Sequence, residues 1–132
     1  MNSVLGTALS GLLAQDKRLE VSASNVANLR STGVRPDDPR PQPEAFVPYR
    51  VALTTDGAGG VRATVAPVTP PSVLAVEPGA ADADARGIVA RPNVSLEREL
   101  VTQIEALRSF QANLKVIETE NRKLGALLDL IS

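Results

Sequence analysis

The stretch NVSLERELVTQIEALRSFQANLKVIETENRKLGALLDLIS, residues 93–132, decides the fold. Two apolar series run through it at steps of seven. One is Leu100, Leu107, Leu114, Asn121 and Leu128; the other, three residues later, is Gln103, Phe110, Ile117, Leu124 and Ile131. Eight of these ten positions are large and apolar, which predicts a long helix with a heptad seam. Asn93 or Ser95 can cap its start, and Glu97 and Glu99 then fall in the first turn, where the helix dipole favours them. Glu118 and Arg122 form an i,i+4 pair on the outer side. Asn121 falls within the seam, where one polar residue can fix register at a cost in stability.

All ten prolines lie between Pro36 and Pro92, leaving both ends free to be helical. At the N-terminal end Leu5, Leu9, Leu12, Leu19, Ala23 and Val26 follow alternating steps of four and three, with Asp16 filling the gap. This predicts a second helix over about 3–29, its seam packed on Leu100, Leu107, Phe110, Leu114 and Ile117. Gly6 and Gly11 weaken it in isolation, each by up to about 1 kcal/mol relative to Ala. Gly33 is read as the helix stop, in the left-handed conformation.

Between the helices, residues 36–48 (PDDPRPQPEAFVP) hold five prolines and read as an extended, semi-rigid strip. Val47–Leu53 and Val61–Val65 flank Asp56-Gly57-Ala58-Gly59-Gly60, a turn signal, and read as a hairpin; Val73–Val76 reads as a short third strand. The expected fold is therefore mainly α. Long N- and C-terminal helices pair as a coiled-coil-like bundle, with a small β-hairpin and proline-rich insert between them. The expected divisions are 1–33, 34–92 and 93–132.

Composition narrows the function. A net charge of −1 and no basic face argue against nucleic acid as partner. There is no Cys and no His, so the usual thiolate, general base and metal ligand are missing. No enzyme activity and no cofactor are expected. Aromatics are 2% of the chain, so the core is built from Leu, Val, Ile and Ala. Residues 1–15 carry no charge, whereas a signal peptide needs a basic n-region, so this segment is expected to belong to the working protein. No apolar run reaches the length of a membrane span. Asp82-Ala83-Asp84 lacks the further ligands of a calcium loop and reads as a solvated turn.

Two stretches carry a family resemblance. Residues 22–34, SASNVANLRSTGV, resemble the SASNLAN…TTGY motif near the N-terminus of flagellar axial proteins, with Val26 where Leu is usual and Val34 where an aromatic is usual. Residues 83–117, ADARGIVARPNVSLERELVTQIEALRSFQANLKVI, are similar to the FlgC-like proximal-rod members of the flagellar basal-body rod family. The matching positions include Gly87, Val89, Pro92, Asn93, Val94, Glu99, Arg108, Ser109, Gln111, Ala112 and Asn113. Ile88, Leu100 and Phe110 depart from that pattern, which has Tyr, Met and Tyr there.

The resemblance implies a self-assembling structural subunit of the basal-body rod that transmits torque. It would be exported by the flagellar type III apparatus without a cleaved signal and placed in the periplasmic rod. Implied partners are copies of itself, neighbouring rod subunits and the proteins of the MS-ring/rod junction. Candidate assembly residues are Leu5, Leu9, Leu12, Leu19, Asn25, Val26, Asn28, Gly33, Asn93, Leu100, Leu107, Phe110, Asn113, Leu114, Ile117, Asn121, Leu124 and Leu128. The alternative is a soluble helical adaptor or secretion chaperone.

Overall fold

The computed structural model describes residues 2–40 and 43–131, so Pro41 and Gln42 of the proline-rich strip lie outside the described residues. Helix α1 spans Asn2–Ala27 and helix α2 spans Leu96–Ile131. Strands β1 (Tyr49–Thr55) and β2 (Val61–Pro67) form one two-stranded sheet; β3 (Ser72–Val76) and β4 (Ile88–Pro92) form a second. The strand β4 was not expected. Its five residues end in proline and run straight into the helix cap, so they read as a lead-in to α2.

The chain divides into two units. One comprises Met1–Glu20, Val51–Thr64 and Val101–Ser132; the other comprises Val21–Arg50 and Val65–Leu100. In the first unit, Gly11 backs onto Asn113: a Cβ there would stand 2.7 Å from the Asn113 Nδ2. Arg18 donates to Glu105 at 3.3 Å. Ser10 ties down the hairpin turn, its Oγ accepting the Val61 N–H at 3.0 Å. Asp56 organises the turn itself. Its Oδ1 accepts from the Ala58 and Gly60 amides at 2.9 and 2.8 Å, while Gly57 and Gly59 take positive φ. Those amides hold the Asp56 carboxyl below its ordinary range.

The second unit is built on the β3–β4 sheet. The strands run antiparallel, with Leu74 opposite Ala90 and Val76 opposite Ile88. Val89 and Ala90 are buried, and burial of the valine is worth about 2 kcal/mol. On the other side of β4, Gly33 exchanges two backbone hydrogen bonds with Ala90, at 3.0 and 2.9 Å. Val34 then bridges Glu44 in parallel register. The segment 32–40 is also tied to the turn before β4. Thr32 Oγ1 donates to Asp82 at 2.8 Å, Arg35 pairs with Asp84 at 3.5 Å, and Arg40 reaches the Asp82 and Ala83 carbonyls at 3.2 Å. Arg40 also clasps Asp38, and its hydrogen bonds bring that carboxyl down to about 2. The Asp82–Asp84 turn is thus a docking point within the chain, and no cluster of metal-ligating side chains occurs among the described residues.

Three expectations need correction. First, Gly33 does not stop the helix and does not take positive φ; α1 ends at Ala27. The end is made by polar side chains: Asn28 Nδ2 donates to the Ser24 carbonyl and Ser31 Oγ to the Asn28 carbonyl. Glycine is needed at 33 because a Cβ would overlap the Ala45 backbone. Second, the buried side of α2 is not the Leu100 series. Leu107 is 49% and Leu114 41% exposed, and Leu100, Asn121 and Leu128 are exposed too. The less accessible side runs through Gln103, Ala106, Phe110, Asn113, Ile117, Glu120 and Leu124. Asn113 lies on this side because Gly11, having no Cβ, leaves room for its side chain. Third, Leu9 and Ala23 are exposed on α1, where Ala8, Leu12, Ala14, Gln15, Ser22 and Asn25 are buried.

Candidate functional site

Helix α2 exposes a row of apolar side chains. Leu100, Ile104, Leu107 and Leu114 are all exposed and, at 3.6 residues per turn, lie along one side of the helix; Leu128, near its end, is exposed too. Val101, Val116, Leu127, Leu130 and Ile131 are exposed elsewhere around the helix. Helix α1 exposes Val4, Leu9 and Leu13. Scattered exposed apolar residues are ordinary, but several gathered along one side of a helix mark a contact surface.

The other sequence-selected residues fall into two groups. Leu12 is buried, and Leu5, Leu19, Val26, Phe110, Asn113, Ile117 and Leu124 are half-buried. Asn25, Asn28, Gly33 and Asn93 make defined local contacts. Asn93 Nδ2 donates to the Pro70 carbonyl at 2.9 Å, and its amide donates to the Pro71 carbonyl. The α2 cap is Ser95: its Oγ accepts the Arg98 amide at 3.4 Å and its carbonyl accepts the Glu99 amide.

Asn25 is enclosed, 2% exposed. Its Nδ2 donates to the Tyr49 carbonyl at 2.7 Å and to Glu99 Oε1 at 2.9 Å, and its Oδ1 accepts the Tyr49 amide at 3.1 Å. One turn earlier, buried Ser22 donates to the Glu99 carbonyl at 3.3 Å. The sequence places Glu99 in the helix's first turn and in the rod-family pattern, and Ser22 at the start of the axial-protein motif, but shows a partner for neither. Their partners are 74 and 77 positions away, beyond the reach of any local pattern.

The geometry is that of a subunit whose helical ends leave apolar stripes uncovered. The family model described as "Flagella basal body rod protein" matches residues 5–33, and "Flagellar basal body rod FlgEFG protein C-terminal" matches residues 85–130. Together they define the class: a flagellar basal-body rod protein.

The full-length comparison is more specific. The flagellar basal-body rod protein FlgC of Salmonella typhimurium (strain LT2) is 41% identical over 119 residues, covering 89% of this chain and 87% of that protein. FlgC of Yersinia enterocolitica matches to the same extent, and FlgC of Agrobacterium fabrum is 34% identical over 126 residues, covering 92% and 88%. This chain belongs to the FlgC family of flagellar basal-body rod proteins. It is a structural subunit of the rod, and the adaptor or chaperone alternative is not favoured. No helix among the described residues is long and apolar enough to cross a membrane.

Proposed function

We propose that this subunit assembles through the uncovered sides of its terminal helices, in coiled-coil-like contacts, and transmits torque as part of the proximal rod. The supporting observation is the exposed stripe Leu100–Ile104–Leu107–Leu114 on α2. A charged or polar side would suit water; an apolar one is stabilised only when another surface covers it. The partners are other copies of the chain, neighbouring rod subunits and the proteins at the MS-ring/rod junction. The subunit reaches the periplasmic rod through the flagellar type III apparatus without signal cleavage. Its work is mechanical and calls for no cofactor or catalysis.

This reading makes the outer ends of both helices dependent on neighbours. Short of those contacts, their local stability falls toward the low end of what native structure allows. Amide exchange on the dilute free chain is expected to show fast exchange over residues 3–12 and 118–131 and slow exchange across β3 and β4. Terminal helices fully protected in the free chain would contradict it.

A further inference from the structure

We propose that Asn25 is a positioning residue internal to the chain, standing in for the peptide group of a strand neighbour and fixing where β1 begins relative to α1 and α2. This departs from a role as a contact between subunits. At 2% exposure its side chain is not accessible to another molecule.

The argument rests on how the amide group is used. Its oxygen takes the Tyr49 N–H at 3.1 Å and its nitrogen gives a hydrogen to the Tyr49 carbonyl at 2.7 Å. That reciprocal exchange with one residue is what an adjacent strand would offer. The second amide hydrogen goes to Glu99 Oε1 at 2.9 Å, in the first turn of α2. Three of the amide's four hydrogen-bonding positions are thereby engaged. The chemistry selects Asn: Asp has no hydrogen to give the Tyr49 carbonyl, Ser has one group in place of two, and Gln is a methylene too long. The orientation is also fixed, because the Tyr49 amide can only donate and its carbonyl can only accept.

The consequence is geometric. The contact closes the chain between positions 25 and 49, which are 24 apart, and pins both ends of the intervening strip to the start of α2. Next to the clasp Pro48 is buried, and its carbonyl accepts the Val68 amide at 2.9 Å. The neighbouring Ser22–Glu99 bond holds the same turn of α2 by its backbone.

The test uses the full chain with Asn25→Asp, Glu99→Gln and the double variant, read by amide exchange at Tyr49 and by circular dichroism. Asn25→Asp sets a carboxylate against Glu99 and the Tyr49 carbonyl, and Tyr49 exchange is expected to rise at least tenfold. Glu99→Gln alone is expected to change it less than threefold, since the glutamine can still present its oxygen. In the double variant the donor and acceptor are exchanged: the new amide on α2 gives a hydrogen to the new carboxylate on α1. At least half of the lost protection, on a logarithmic scale, is then expected to return. If Asn25→Asp fails to fold, recovery of the helical signal in the double variant decides in the same sense. Unchanged Tyr49 exchange in Asn25→Asp, or no recovery in the double variant, overturns the proposal. The readout is on the free chain, so it is independent of rod assembly.

Discussion

Replacing Gly33 by Ala is expected to destabilise the subunit by about 3 kcal/mol, from overpacking together with loss of backbone hydrogen bonds. The added Cβ would stand 2.6 Å from the Ala45 Cα and overlap the Ala45 nitrogen. The obstacle is backbone, so no rotamer change relieves it. Relief requires the 43–45 segment or the 33–34 segment to move. Either movement breaks a pairing: Val34 with the Pro43 carbonyl, or Gly33 with Ala90. Thermal unfolding should then fall by about 10 °C. Gly6 is the control, because nothing lies within 4 Å of a Cβ built there. Gly6→Ala removes a helix-weakening residue from α1 and is expected to be neutral or stabilising by up to about 1 kcal/mol. Equal melting temperatures for Gly33→Ala and the wild type would contradict the close crossing.

Replacing Leu114 by Asp is expected to abolish rod assembly and motility while leaving the free subunit folded. Leu114 is 41% exposed and lies on the outward stripe of α2. In the free chain the aspartate stays hydrated, so the loss is mainly helix propensity, below about 1 kcal/mol. In an assembly the same carboxylate would be carried into an apolar contact, where an unpaired charge is strongly disfavoured. The expected result is an unchanged circular dichroism spectrum, no complete basal bodies and no swarming. Normal swarming would contradict the assembly role of the stripe. A collapsed spectrum would show that Leu114 serves the chain's own core instead.

The contrast between these two residues shows what a single sequence carries. The heptad spacing of Leu100, Leu107 and Leu114 made α2 visible, because period is a local property. It did not say which of two neighbouring stripes turns inward, because that depends on the surface opposite. The inward side mixes Ala106, Asn113 and Glu120 with Phe110, Ile117 and Leu124, so hydrophobic strength alone does not select it. Gly33 was legible as a special position, but the reason lay in Ala45 and Ala90, which reach it only after the chain has folded back. The hairpin turn Asp56–Gly60 was legible in full because its carboxylate, amides and glycines are consecutive. Strand β4 was hidden by its terminal proline and its brevity. The resemblance in residues 22–34 pointed to the right family, while the contacts of Ser22 and Asn25 were not visible there.

The chain contains no cysteine, so one introduced thiol reports a single surface. The direct test places Leu107→Cys or Lys123→Cys in otherwise unaltered flagellated cells. A thiol-attached photocrosslinker is then activated in purified basal bodies. Leu107 lies on the apolar stripe and Lys123 about 160° round the same helix, where it pairs with Glu120. The account predicts covalent adducts to another rod chain from position 107 and none from position 123. Adducts from position 123 with none from position 107 would contradict it.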